Sequence, residues 1–542
     1  MAPTNTQSEH TSIENIPTPP RPYTLSYFAV LIFLVAPIWS TTPAASLFIA
    51  HTLFIKHGGF WALGTTQRTT FCLALCEAIF SAYYYHLERK VSAAGTFGPG
   101  NVAELQTIFT RLLKTGMANL PEEGYDEETL DTERPGSPAE SITLLGNDDP
   151  RAVDFRHSIR AWFRNAPWSS LRRQGVTRWL YWTIFNDYMP SSPQQISSSH
   201  QAILDHTYDQ LQKRTGYVIP EGEGSAPLLL TLDKMVVCFR PLWWYTALAV
   251  INRYLEYRLE KHYQTRRISH EGLDFLIRIP TQWNAQKGPT PILFIHGLGL
   301  GLLQYYTVFI ELFGSFTDRP ILIPLQPHIS QDIFHPRYLT PLPRREAVKR
   351  YTSLITKLGW TSDIALGMGE DDSSFSVSGR GVTVVSHSNG SYLHAWILKE
   401  NPFMVSRSCF VDPVTFCGWE GELCYNFLYR PSRTGIELIM RYFVGTELGV
   451  ANVLRRHFDW TSNSLFYEEI PHARDPQKAL YVLGGQDDIV NSPRVKKYLT
   501  SHGIKKGIYY NPTARHGQAL IGGGEGFPII LQWLRDEDSL TT

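Results

Sequence analysis

The chain has 542 residues, long enough for several units at ~100 to 200 residues per domain, and it balances 50 basic against 50 acidic side chains. Zero net charge, with no basic run and no RNA-binding signature, excludes a nucleic-acid partner. The six cysteines, Cys72, Cys76, Cys238, Cys409, Cys417 and Cys424, contain no C-x-x-C pair, so neither a zinc site nor a disulfide framework is indicated and a reducing compartment is favoured.

Residues 1–22 are polar, contain proline and include Glu9 and Glu14, and are expected to be disordered. An uncharged apolar run follows at 25–39, and apolar character resumes at 44–55 and 71–85. A bilayer-spanning helix needs ~20 such residues, so 23–90 is expected to supply one or two membrane spans, with two preferred from the run lengths. A cleaved signal peptide ending near Pro43-Ala44-Ala45-Ser46 is the rival, but the long acidic leader does not resemble a short basic n-region. In a hairpin, Arg21, Arg89 and Lys90 oppose Lys56 and Arg68, which orients the rest of the chain to the cytosol. The sequon found, Asn389-Gly390-Ser391, lies in a turn that chemistry needs unmodified, so a lumenal location gains no support.

A helical segment is expected at 91–120, then an acidic disordered linker at 121–150, rich in Glu, Asp, Gly, Pro and Ser. The region 151–265 reads as amphipathic helices. Phe155, Ile159, Trp162 and Phe163 share one face, and Arg156, Arg160 and Arg164 the other. Arg172, Arg173 and Arg178 follow, interleaved with Trp168, Trp179 and Trp182. Such a pattern suits lipid headgroups or packing on the rest of the protein, and amphipathicity describes both. A second aromatic helix at 241–259 leads to a first strand at 272–279.

The fully apolar run 291–295 has the character of a buried parallel strand and ends in His296-Gly297-Leu298-Gly299. A serine acyl-transfer enzyme needs two backbone N–H groups at the oxyanion, one after the nucleophile and one from an earlier strand's loop. Asn389 and Leu298 are the candidates, with Gly297 and Gly299 allowing close approach. A dinucleotide loop on the same glycines lacks the third glycine and a following acidic residue. In the insertion at 326–337, His328 and His335 are read as turn residues beside a pocket rather than metal ligands.

Residues 382–390 run from a β-branched strand into Ser386-His387-Ser388-Asn389-Gly390, and a helix continues beyond. This is a nucleophile elbow, in which only small residues fit two positions either side of Ser388. Asp412 ends a further strand, and a lid is expected at about 414–478, with helices at 434–443 and 448–458. Its aromatics Trp419, Tyr425, Phe427, Tyr429, Tyr442, Phe443, Phe458 and Trp460 are expected to line an apolar cavity. The strand 479–483 then leads to Gly484-Gly485-Gln486-Asp487-Asp488, and 508–510 leads to His516.

The order Ser388, Asp487, His516, with the oxyanion loop, resembles the serine hydrolase branch of the α/β-hydrolase superfamily over residues 266–542, and is similar to its membrane-associated fungal members. The resemblance implies an α/β fold with a mostly parallel sheet and a helical lid, preceded by an α-helical membrane-associated region. It implies Ser388 as nucleophile, His516 as base and Asp487 as acid, with Asp488 and Asp412 as alternatives. The expected activity is cleavage of carboxylic esters, lipid-like acyl esters above all, at a membrane and without cofactor or metal. An acyltransferase or thioesterase would use the same triad, and a non-catalytic membrane scaffold with a relic hydrolase fold is the alternative from another class.

Overall fold

The two leading apolar runs join into one helix, α1 (Leu25–Ile55), which continues through Pro43 and contains π-type turns at Leu31–Val35 and His51–Ile55. The computed structural model describes residues 13–95, 101–114, 142, 144–361, 380–521 and 524–536. The first 12 residues and most of the linker at 121–150 lie outside them. At 31 residues, α1 is long and apolar enough to cross a bilayer. The third run falls within α2 (Thr65–Val91), where Glu77 interrupts it and Arg68, Glu88, Arg89 and Lys90 flank it. Among the described residues one helix therefore qualifies, where run length had preferred two. The two helices pair as a hairpin around Gly58 and Gly59, both at positive φ. Buried Glu77 locks the pair to the following domain, accepting from the Thr42 hydroxyl (2.7 Å) and the Leu242 N–H (2.8 Å).

The helical region comprises α3 (Val102–Lys114), α4 (Pro150–Ile159), α5 (Arg173–Phe185), α6 (Ser198–Thr215) and α7 (Leu242–Tyr263). Here the packing alternative holds for the first Arg/Trp helix. Arg156 and Arg160 are buried, Arg156 pairing with Glu14 at 2.7 Å and Arg160 donating to the carbonyls of Ile16, Asn165 and Ala166. Trp162, Trp168, Trp179 and Trp182 are buried as well, and the Trp162 indole donates to the Trp419 carbonyl at 2.8 Å.

The chain then builds an eight-stranded sheet: β1 (Arg266–His270), β2 (Leu273–Arg278), β3 (Ile292–Ile295), β4 (Ile321–Leu325), β5 (Val382–His387), β6 (Val405–Val411), β7 (Ala479–Gly484) and β8 (Ile508–Asn511). Their spatial order is β1-β2-β4-β3-β5-β6-β7-β8, with β2 antiparallel to both neighbours and the rest parallel. This is the α/β-hydrolase sheet. The expected first strand is the second; β1, with its polar sequence, escapes the apolar pattern because an edge strand need not be buried on both faces. Glu271 and Gly272, both at positive φ, make the two-residue hairpin turn.

Helices α8 (Leu302–Ser315), α9 (Arg344–Lys357) and α10 (Gly390–Glu400) follow β3, β4 and β5. The insertion between β6 and β7 carries α11 (Gly435–Met440) and α12 (Leu448–Arg456), and α13 (Ser492–Ser501) and α14 (Gly526–Arg535) complete the chain. Alternate residues of β3 face opposite layers, as a strand's period of two demands. Ile292 and Phe294 pack with α8 and α14, whereas Leu293 and Ile295 pack with α9 and α10.

Candidate active site

The turn from β5 to α10 holds Ser388 at a φ of 52°, in the left-handed region that a non-glycine residue rarely adopts. That kink sets the Ser388 side chain at the C-terminal edge of the sheet and the N-terminus of α10. Gly390 is required by crowding: a Cβ there would stand 2.4 Å from the Ile295 carbonyl oxygen. Ser386, where the motif usually has glycine, is buried and its Oγ meets His394 Nδ1 at 2.9 Å, so its hydroxyl is absorbed in the core.

His516 Nε2 lies 2.9 Å from Ser388 Oγ, and His516 Nδ1 lies 2.6 Å from Asp487 Oδ2. The three side chains form one relay. With Nδ1–H directed at the carboxylate, Nε2 is left to accept the serine proton. Burial disfavours the charged imidazolium, but the hydrogen-bonded Asp487 carboxylate outweighs it and holds the His516 pKa above its ordinary value. The other Asp487 oxygen accepts from the N–H groups of Ile489 (2.7 Å) and Val490 (2.9 Å), which fixes the carboxylate.

Of the alternative acids, Asp488 is exposed and the structure does not bring its side chain to His516. Asp412 is fully buried at a φ of 41° and accepts from the N–H groups of Gly484 (2.9 Å) and Gly517 (2.7 Å). It thereby braces the two loops that carry Asp487 and His516. Burial raises its carboxyl to about 6. Ligand atoms of Asp412, Asp487 and His516 lie within 4.8 Å of one another, but their spacing follows from these hydrogen bonds.

In the loop after β3, the Gly299 N–H donates to the Ile329 carbonyl (3.0 Å) and the Gly297 N–H to the Tyr305 hydroxyl (2.9 Å). The N–H of Leu298 has no partner among the described residues, nor has that of Asn389. Both are thus available to an anion beside Ser388. Gly297 is needed because a Cβ there would lie 2.9 Å from Ser388 Cβ. Tyr305 is a residue that sequence reasoning missed. Its hydroxyl accepts from the Gly297 N–H and is hydrogen-bonded to His387 Nδ1 at 2.6 Å, tying the oxyanion loop to the elbow. No motif marks it, since it is one aromatic among several on an apolar helix face. Burial, with His516 and His296 adding to it, keeps His387 well below its ordinary pKa.

Ser388 and His516 open into a chamber. Its walls are mostly apolar, among them Leu298, Val414, Phe427, Met440, Val444 and Phe458. Of the lid aromatics expected to line it, Phe427 and Phe458 do so. Trp419 instead stacks on Phe466, Tyr442 meets Trp39 edge-on, and Trp460 donates to the Thr183 carbonyl, because the insertion must also bury a core of its own. His328 and His335 line a neighbouring cavity.

No protein-family model matches the chain, and no curated protein matches it in sequence. Among solved structures, it is similar to an alpha/beta hydrolase enzyme from the metagenome of sediments of the lagoon of Mar Chica, Morocco. The identity is 14%, covering 50% of this chain and 99% of that one, with a TM-score of 0.31. It is also similar to a membrane phospholipase A described as a bacterial virulence factor, at 11% identity over 55% and 93% of the two chains, with a TM-score of 0.33. A carboxylesterase of the ammonia-oxidizing thaumarchaeon Nitrososphaera gargenis matches at 12% identity over 51% and 99%, also at 0.33.

Proposed function

We propose that this protein is a membrane-anchored serine hydrolase that cleaves carboxylic esters with an apolar acyl chain. The observation that carries the reading is the relay of Ser388, His516 and Asp487, at 2.9 and 2.6 Å, around a serine held at positive φ. Ser388 Oγ attacks the ester carbonyl while its proton passes to His516 Nε2, and Asp487 stabilises the imidazolium. The N–H groups of Leu298 and Asn389 receive the oxyanion. As the tetrahedral species collapses, His516 returns the proton to the leaving alcohol and an acyl group stays on Ser388. Water, deprotonated by His516, then releases the acid.

The apolar chamber supports an acyl chain rather than a charged acid component, and α1 supports a membrane as the source of the ester. The test is labelling of the purified protein by a fluorophosphonate, which reacts with activated serines. Wild type is expected to label and to turn over a p-nitrophenyl ester, and Ser388→Ala to do neither while keeping its unfolding midpoint. Labelling that survives in Ser388→Ala would end the assignment.

A further inference from the structure

One wall of the Ser388 chamber comes from outside the sheet and its insertion. Leu230, in the segment that joins α6 to α7, is among the lining residues. It is also the most deeply buried of the apolar walls, at 0% exposed, whereas Leu298, Leu423, Phe427 and Phe458 are half-buried. A chamber that runs from half-buried walls to a fully buried one is closed at the buried end.

Residues 216–241 form neither helix nor strand, so the place of Leu230 depends on what pins the backbone around it. The N–H groups of Leu232 and Asp233 both donate to the Leu229 carbonyl, at 2.8 and 2.7 Å, folding a tight turn with Leu230 in its bend. Asp233 Oδ2 closes the turn by accepting from the Leu229 N–H at 3.2 Å, and it also takes the Tyr429 hydroxyl at 2.6 Å. On the helical side the Leu228 N–H donates to the Trp162 carbonyl and Trp182 Nε1 to Thr231 Oγ1, both at 2.7 Å. From the insertion, Arg456 donates to the carbonyls of Thr231 (2.8 Å) and Asp233 (3.1 Å). None of these partners belongs to the sheet or to the loops that carry Ser388, Asp487 and His516. The turn therefore meets the chamber from behind the insertion, not from the side of the nucleophile. A buried turn held at so many points is a rigid wall.

We propose that Leu230 is the end stop of the acyl chamber, so that the helical region before the sheet sets the longest acyl chain the protein accepts. The proposal rests on the hydrolase reading for the identity of the acyl group. Each methylene that enters an apolar chamber adds about fourfold to affinity, whereas one that meets a buried leucine overpacks it. Leu228 supplies the comparison. It lies two residues earlier and is as fully buried, but it does not line the chamber.

The experiment measures binding to the full-length protein, in nanodiscs, of methyl alkyl ketones of increasing chain length, which resemble the ester carbonyl but cannot be cleaved. Partition of a ketone into the bilayer is common to all variants, so the quantity read is each variant's affinity relative to wild type at a given length. Leu230→Ala is expected to leave that ratio near one for short ketones and to raise it about tenfold for the longest, and Leu230→Phe to lower it about tenfold there. Leu230→Val trims less, gives the sign of the alanine variant at smaller amplitude, and keeps the test open where Leu230→Ala does not fold. An unfolding midpoint shows which variants are folded. A ratio independent of chain length in the folded Leu230 variants overturns the proposal, and so does an equal slope in Leu228→Ala, which would make the effect one of packing alone. Absence of ketone binding to wild type overturns it as well. Ester turnover is read separately: a protein that shows the Leu230-dependent slope but cleaves no ester would end the hydrolase reading and leave the stop in place.

Discussion

At Asp487 both carboxylate oxygens are occupied, one by His516 and the other by two backbone N–H groups, whereas Asp488 next to it is exposed. Asp487→Asn is therefore expected to lower kcat by roughly 10⁴, while Asp488→Asn has little effect. Because Asp487 holds the His516 pKa up, the same variant should move the acidic limb of the kcat/KM profile to lower pH. A full pH–rate series on both variants checks the two outcomes together. Asp412 gives a prediction of opposite kind. An unfolded aspartate ionises near ~3.9, but burial raises Asp412 to about 6, so the folded protein holds a proton that the unfolded chain has released. Its contribution to stability is full below ~3.9 and is lost as pH rises through about 6, with a ceiling of about 3 kcal/mol. The stability of wild type relative to Asp412→Asn should fall across that window, as read from denaturant unfolding at several pH values.

Between elements, α1 lies close against α11. A Cβ on Gly435 would lie 2.7 Å from the Ser26 carbonyl oxygen and 3.0 Å from Val30 Cγ2, so only glycine lets the helices approach this closely. Around it Arg21 pairs with Glu437 at 2.7 Å, Arg433 covers the Tyr23 ring at 4.0 Å, and the Thr24 N–H donates to the Arg433 carbonyl at 2.9 Å. Met440, at the end of α11, and Val444, in the next turn, line the Ser388 chamber. One helical layer thus separates that chamber from the helix assigned to the membrane. Gly435→Leu overpacks the contact, which costs about 1 to 3 kcal/mol, and shifts the chamber wall. The expected outcome is a lower unfolding midpoint and a KM for long-chain esters raised more than for short ones, checked by a chain-length series.

Over the whole molecule, the large apolar side chains left exposed concentrate before the sheet. Leu25, Phe33, Leu47, Phe54 and Trp61 are each more than 70% exposed, and Trp243, Val250, Tyr254 and Tyr257 extend the surface along α7. An exposed apolar surface of this extent marks a place of membrane or protein contact, and α1 is long and apolar enough for a bilayer to cover it. The protein is expected to stay in the membrane pellet after carbonate extraction. With Arg89 and Lys90 beyond the hairpin, externally added protease should digest the region of the sheet in intact microsomes. Protection would place it in the lumen.

The sequence by itself determined the chain order of the candidate residues. Apolar runs, each ending in a turn of small or polar residues, mark the places of the Leu298 loop, Ser388 and Asp487, because a parallel strand buried on both faces must be apolar, whereas the half-buried β8 leads on to His516. Tertiary structure decided everything that depends on partners distant in the chain. It set the brace role of Asp412 and the tie from Tyr305 to His387, and it divided the lid aromatics between cavity and core. It buried Arg156 and Arg160, whose facing carboxylate and carbonyls lie elsewhere in the sequence. It also joined two apolar runs through Pro43 into one helix and left β1, polar at the sheet edge, to be recognised from pairing alone. Local pattern records which face of an element is apolar; what lies against that face is a property of the fold.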